Sequence, residues 1–87
     1  MATVRIPLLL KKFTGETREA DVPGSTLLEI VTALDRRFPG IGDRLRENGQ
    51  LSPTVTVTVD GKIATQGLST PVATDSEICL LPSLGGG

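Results

Sequence analysis

The 87-residue sequence has no histidine, tryptophan or tyrosine, a single cysteine (Cys79), and only two aromatic residues, Phe13 and Phe38. One cysteine cannot close an internal disulfide, and without histidine no ordinary Cys/His metal site can be assembled within the chain. No metal site is expected, and a reducing, cytoplasmic location fits best. The same scarcity, with no clustered carboxylates, removes most routes to a self-contained active site. The chain therefore reads as a substrate or partner of enzymes and not as an enzyme. Two aromatics offer no platform for stacking bases, and nine basic against ten acidic residues, a net charge of -1, leave no basic stripe for phosphates. Nucleic-acid binding is disfavoured. Long apolar runs are missing too: Ile6 to Leu10 contains Pro7 and is too short for a signal segment or a membrane span.

What is present is a small aliphatic core in regular order. The hydrophobic share, 38%, is almost entirely aliphatic, which suits one small domain packed with Leu, Val and Ile. Thr3 to Lys11 alternates, predicting a half-buried strand with Val4, Ile6, Leu8 and Leu10 on one face and Arg5, Pro7, Leu9 and Lys11 on the other. Pro7 cannot donate to a ladder, so its neighbour must be absent or irregular. Thr14-Gly15-Glu16 reads as a turn and Thr17 to Val22 as a returning strand.

Thr26-Leu27-Leu28-Glu29 matches a capping box, with the Thr26 hydroxyl and Glu29 carboxylate satisfying open helix N–H groups. Leu27, Ile30, Val31, Leu34 and Phe38 then form one apolar stripe, with Glu29, Thr32, Asp35 and Arg36 facing away. Pro39-Gly40 ends this helix. Ile41 to Asn48 accommodates one more helical turn with Leu45 inward, and Asn48-Gly49 a turn. Thr54 to Val59, β-branched and strictly alternating, reads as a central strand paired on both sides. Asp60-Gly61 is a type I′ hairpin pair with Lys62 to Thr65 returning. Ser76 to Leu81 is the last strand, with Ile78 and Leu80 inward, Cys79 and Leu81 outward, and Pro82 as its stop. A sheet with one apolar face and one long helix to cover it is a two-layer α+β domain. Periodicity alone leaves the strand order open.

Residues 1–82 thus form the domain, and 83–87 a flexible C-terminal tail that ends Leu84-Gly85-Gly86-Gly87. A glycine run contributes nothing to a core, and its thin backbone can enter a narrow channel in another protein. Its last group is an α-carboxylate on an unhindered carbon, suited to activation by an ATP-using enzyme.

Several segments in this order resemble the ubiquitin-like β-grasp sulfur carriers of the ThiS/MoaD family, in particular the CysO-type branch. They are Phe38-Pro39-Gly40-Ile41 with Arg44-Leu45, Val55 to Gly61, Leu68-Ser69-Thr70-Pro71-Val72, and Ile78-Cys79-Leu80-Leu81-Pro82 leading to Gly86-Gly87. Three positions depart from the family pattern. Asp60 replaces the usual Asn, Thr74-Asp75-Ser76-Glu77 replaces an acidic glycine-containing turn, and Gly85 stands where a small residue such as Ala is common.

The resemblance implies a mixed sheet covered on one face by a single main helix, and a chemistry centred on Gly87. A ubiquitin-activating-type enzyme adenylates the Gly87 carboxylate with ATP, and a sulfur donor displaces AMP to leave a thiocarboxylate. A downstream sulfur-accepting synthase then receives the sulfur. The carrier itself binds no cofactor. Gly85 and Gly86 let the tail lie in the enzyme's channel, and Leu9, Cys79, Leu81 and Pro82 form the docking surface. The same activated carboxylate would serve a modifier joined to lysine, and a β-grasp interaction domain is the third reading. Cys79 by itself reads as a small packed hydrophobe.

Overall fold

In the computed structural model, which describes residues 1–83, the chain folds as one mixed sheet beneath one main helix. Strand β1 (Ala2–Arg5) pairs antiparallel with β2 (Glu19–Val22), and β1 also pairs parallel with the last strand. Between β2 and the end of the chain come α2 (Leu27–Arg37), α3 (Ile41–Leu45), the small hairpin β3 (Arg46–Glu47) and β4 (Gln50–Leu51), then β5 (Val55–Val59), β6 (Lys62–Ile63) and β7 (Glu77–Pro82). The short helix α1 (Lys11–Thr14) lies between β1 and β2. The five-stranded order is β2-β1-β7-β5-β6. This is the α+β architecture expected from the sequence.

The first strand is shorter than its alternation predicts. It stops at Arg5, and after Pro7 the residues Leu8–Leu10 turn as a 3-10 helix that runs into α1. Pro7, lacking an N–H, marks the point where the ladder is abandoned. Leu10 is buried, whereas Leu8 and Leu9 are 62% and 49% exposed, so Leu8 is not on the core face and Leu9 is not on a strand. Thr14 closes α1, and Gly15, at φ 63°, makes the turn toward β2.

Helix α2 buries Leu27, Ile30, Val31 and Leu34, with Phe38 half-buried at its end. The Thr26 hydroxyl accepts the Glu29 N–H at 3.3 Å, as a capping residue should. The reciprocal half differs: the Glu29 carboxylate accepts the Ser25 N–H at 2.8 Å, one residue before the cap. That region is also tied across to the segment before β7, with Leu27 N–H on the Thr70 carbonyl and Val72 N–H on the Ser25 carbonyl. Asp35, read from the sequence as facing away, is half-buried. Its carboxylate accepts the N–H groups of Gly40 at 3.1 Å and Gly42 at 2.9 Å, fixing the bend between α2 and α3. Gly40 takes φ 99°, and both Ile41 and Leu45 of α3 are buried.

The sheet's centre is β7, flanked by β1 and β5. Strand β5, expected to be central, is covered fully only on its β7 side, because β6 pairs with Thr58 and Val59 alone. Asn48-Gly49 and Asp60-Gly61 both have two successive positive φ angles, the signature of type I′ hairpin turns. The Asn48-Gly49 turn joins β3 to β4, a hairpin too short to read from periodicity.

Candidate functional site

The expected reacting residue Gly87 and the tail residues Gly85 and Gly86 lie outside the described residues. What the structure describes is the base from which they continue. Pro82 is the last residue of β7 and pairs with Val55; beyond it the Ser83 N–H donates to the Thr54 carbonyl at 3.0 Å. The tail therefore leaves from the best-supported strand of the sheet. Ile78 and Leu80, buried beneath α2, anchor that strand.

The other face of the sheet carries the remaining candidates. The β7 register alternates as expected: Cys79 and Leu81 point away from the buried pair Ile78 and Leu80. Adjacent strands place Arg5 and Thr58 beside Cys79, Thr56 beside Leu81, and Ile63 next to Thr58. Leu81 is 46% exposed and Ile63 66%. They are exposed aliphatic side chains on the open face, with the β5 threonines Thr56 and Thr58 between them. Ile63 was not singled out from the sequence, because the two-residue return after Asp60-Gly61 has too little alternation to assign a face.

Two expected members of this surface are located differently. Leu9 is in the 3-10 turn after β1, at the end of the sheet where β7 also finishes, and not on the open face of a strand. Pro82 shares the parity of Ile78 and Leu80, opposite to Leu81, although it is exposed. One residue of displacement along a strand reverses its face.

The opposite end of the open face is polar. Thr3 donates to the Asp21 carboxylate at 2.8 Å, and the Arg5 Nε donates to Glu77 at 2.8 Å while its Nη1 lies 3.7 Å from Glu19. The hydrogen bond to Glu77, then the charges of Glu77 and Glu19, push the Arg5 guanidinium further above its ordinary pKa. These exposed pairs define the face more than they stabilise it. Cys79 sits half-buried between Arg5 and Thr58.

Among the described residues no group of three His, Cys, Asp or Glu side chains could share a metal ion, and no helix is long and apolar enough to cross a membrane. The described part of the candidate site is thus the open face of the sheet and the end of β7 from which residues 84–87 continue.

Comparison with known proteins identifies that combination. The ThiS family matches residues 4–87, a span that includes the glycine run. The sulfur carrier protein CysO of Mycobacterium tuberculosis is 30% identical, the alignment covering 98% of this chain and 97% of that protein. A chain of the crystal structure of the Amycolatopsis orientalis BexX/CysO complex superimposes with a TM-score of 0.92 at 30% identity, with both chains fully covered. The small archaeal modifier protein 1 of Methanosarcina acetivorans shares the fold, with a TM-score of 0.82 at 22% identity over 99% of this chain and 95% of that one.

Proposed function

This chain belongs to the ThiS family as a sulfur carrier protein, and we propose that its working group is the Gly87 carboxylate, activated by an adenylating enzyme and loaded with sulfur. The observation that carries the reading is the family match continuing through the glycine run to residue 87.

The chemistry follows from what a carboxylate lacks. A carboxylate is a poor electrophile, so a Gly87 oxygen first attacks the α-phosphorus of ATP and expels pyrophosphate. Hydrosulfide supplied by the donor then adds to the acyl carbon through sulfur, the acyl–phosphate bond breaks and AMP departs, and loss of the sulfur-bound proton to solvent leaves the thiocarboxylate. All catalytic groups for these steps belong to the partner. This chain supplies the acyl carbon, a tail without side chains at residues 85–87, and a surface to hold on by. Proteins of this family act as cosubstrates and not as catalysts.

Docking is assigned to the open face around Cys79 and Leu81, with Thr56 and Ile63 beside them. Pro82 serves as the stiff start of the tail, and Leu9 as an exposed contact at the same end of the sheet. Support comes from the exposed apolar side chains Leu81 and Ile63 on this face and from the CysO relative that forms a complex with BexX. A sulfur-consuming synthase is the natural second partner, with ATP used by the activating enzyme only. Conjugation to a lysine would draw on the same activated carboxylate and stays the second reading; the likeness to the Methanosarcina protein, at 22% identity, supports the fold alone. The test is ATP–pyrophosphate exchange by a ubiquitin-activating-type enzyme from the same organism. Exchange that depends on this chain and disappears when Gly87 is deleted is expected; exchange unaffected by the deletion would contradict the assignment.

A further inference from the structure

Given the docking face assigned above, on which this reading rests, we propose that the open face meets the activating enzyme with a fixed polarity. The acidic corner made by Glu19, Asp21, Glu77 and Asp60 receives arginine or lysine side chains of that enzyme, while Leu81 and Ile63 meet its apolar surface beside the tail.

Register sorts the outward side chains into three rungs. The first joins Asp21 of β2, Thr3 of β1 and Glu77 of β7, with Asp60 tied to Glu77 at the end of β5. The second joins Glu19, Arg5, Cys79, Thr58 and Ile63. The third, nearest the tail, joins Leu81 and Thr56. Charge is thus confined to one corner, along β2, β1 and the start of β7, and the exposed aliphatic side chains lie toward the opposite one. Glu77 precedes Leu81 by four residues, about 13 Å along the strand.

That corner is short of cations. Of the chain's nine basic and ten acidic residues it holds one and four, which leaves eight against six elsewhere. A net charge of -1 for the whole chain therefore conceals an acidic face on an otherwise cationic domain. Arg5 is shared, its Nε donating to Glu77 at 2.8 Å and its Nη1 lying 3.7 Å from Glu19. Asp21 accepts the Thr3 hydroxyl, and Asp60 accepts the Glu77 N–H and the Ser76 hydroxyl. These neutral donors fill lone pairs without cancelling charge. The side chains of Glu19 and Glu77 are 56% and 53% exposed, so in the free domain water carries the excess.

Covering the face removes that water. A carboxylate taken into an interface without a cation is costly, and a neutral or acidic partner surface would impose that cost at several positions together. Guanidinium or ammonium groups instead replace the lost water with charge-assisted hydrogen bonds. The same charges act before contact, because attraction reaches about 10 Å at moderate salt and steers the two surfaces together. Apolar contact alone fixes no rotation about the axis of approach. A cationic patch set about 13 Å back from the apolar contact does, and it leaves the end of β7 facing one direction.

The test measures binding to the activating enzyme of the same organism, and its KM for this chain in ATP–pyrophosphate exchange, at about 0.05 M and about 0.5 M salt. Glu19→Gln, Asp21→Asn and Glu77→Gln, singly and together, are compared with Asp43→Asn and Glu47→Gln, which remove the same charge from exposed positions away from this face. Thermal melts check folding; if the triple variant melts early, Asp21→Asn decides, its carboxylate having only the Thr3 hydroxyl to lose. Each face variant should raise Kd and KM about threefold at low salt and the triple variant at least about tenfold, with the differences shrinking at high salt while kcat holds. Unchanged or tighter binding by the face variants, or equal losses in the Asp43 and Glu47 variants, would overturn the inference. Exchange that needs Gly87 but shows the same KM for every variant removes this inference and keeps the functional reading; exchange indifferent to the chain removes both.

Discussion

Asp60 and Glu77 are joined across the sheet: the Asp60 carboxylate, at a left-handed turn position, accepts the Glu77 N–H at 2.9 Å on one oxygen and the Ser76 hydroxyl at 2.8 Å on the other. Ser76 in turn accepts the Ala73 N–H at 2.9 Å. The hairpin turn after β5 and the loop entering β7 are thereby tied together. Two of the three departures from the family pattern, Asp60 and the Thr74 to Glu77 turn, meet in this one network.

A pH dependence follows from that contact. The Glu77 N–H, and then the Ser76 hydroxyl, hold the Asp60 carboxyl below its ordinary pKa. A depressed folded pKa contributes stability above the unfolded value, about 3.9, and loses it as pH falls through the folded value. Asp60→Asn keeps a residue tolerant of the turn but offers one acceptor oxygen in place of two. Melting temperatures of both proteins should differ at pH 7, with the variant lower, and converge below about pH 4. A gap that stays constant through the acid range would show that the carboxylate charge is irrelevant.

Leu34 is fully buried midway along α2. Leu34→Ala should cost about 2–5 kcal/mol through lost transfer energy and the cavity left behind. In a domain of this size that is a large part of the total, and a lowered denaturant midpoint is the readout. An unchanged midpoint would mean that the helix buries another face.

Gly40 and Gly49 separate strain from collision. Both have positive φ, 99° and 77°, but a Cβ at Gly40 would lie 3.1 Å from the Phe13 ring, whereas one at Gly49 meets open space. Alanine at either site should cost about 1 kcal/mol for the backbone conformation. Gly40→Ala should cost more, because the ring must move, and paired chemical denaturation curves would reveal equal costs if it need not.

Most of the architecture was legible because its signals are long. The α2 stripe spans about three turns with a cap at one end and Pro39-Gly40 at the other, and β5 and β7 alternate over five or six residues. The first strand misled because the aliphatic run through Leu10 continues its alternation past Pro7, where backbone pairing has already ended. A two-residue strand carries no period, so β3, β4 and β6 were visible only through the glycine turns beside them. The centre of the sheet passed to β7 because strand order depends on long-range pairing that local pattern does not encode. At the site, the Cys79 and Leu81 faces followed from alternation, while Ile63 beside them and the Asp60–Ser76–Glu77 contacts depend on the register of separate strands.

The open face should discriminate between recognition and folding. Leu81→Glu adds a charge to an exposed position, while Leu80→Glu puts one in the core, where an unpaired carboxylate is costly. The first should fold normally and bind the activating enzyme at least about tenfold more weakly, since a charge would be trapped in an apolar interface. The second should fail to fold. Equal binding by Leu81→Glu and the unaltered chain, measured by titration calorimetry, would move the docking surface elsewhere.

The central claim is that sulfur resides on Gly87, and intact-mass analysis of the protein isolated from its native cells, under conditions that avoid hydrolysis, tests it most directly. The account predicts a species in which one oxygen is replaced by one sulfur, assigned by fragmentation to the terminal carboxyl of Gly87 and lost after alkaline hydrolysis. A population carrying only the unmodified carboxylate, in cells that produce the activating enzyme and the sulfur donor but in which the acceptor enzyme has been inactivated, would contradict it.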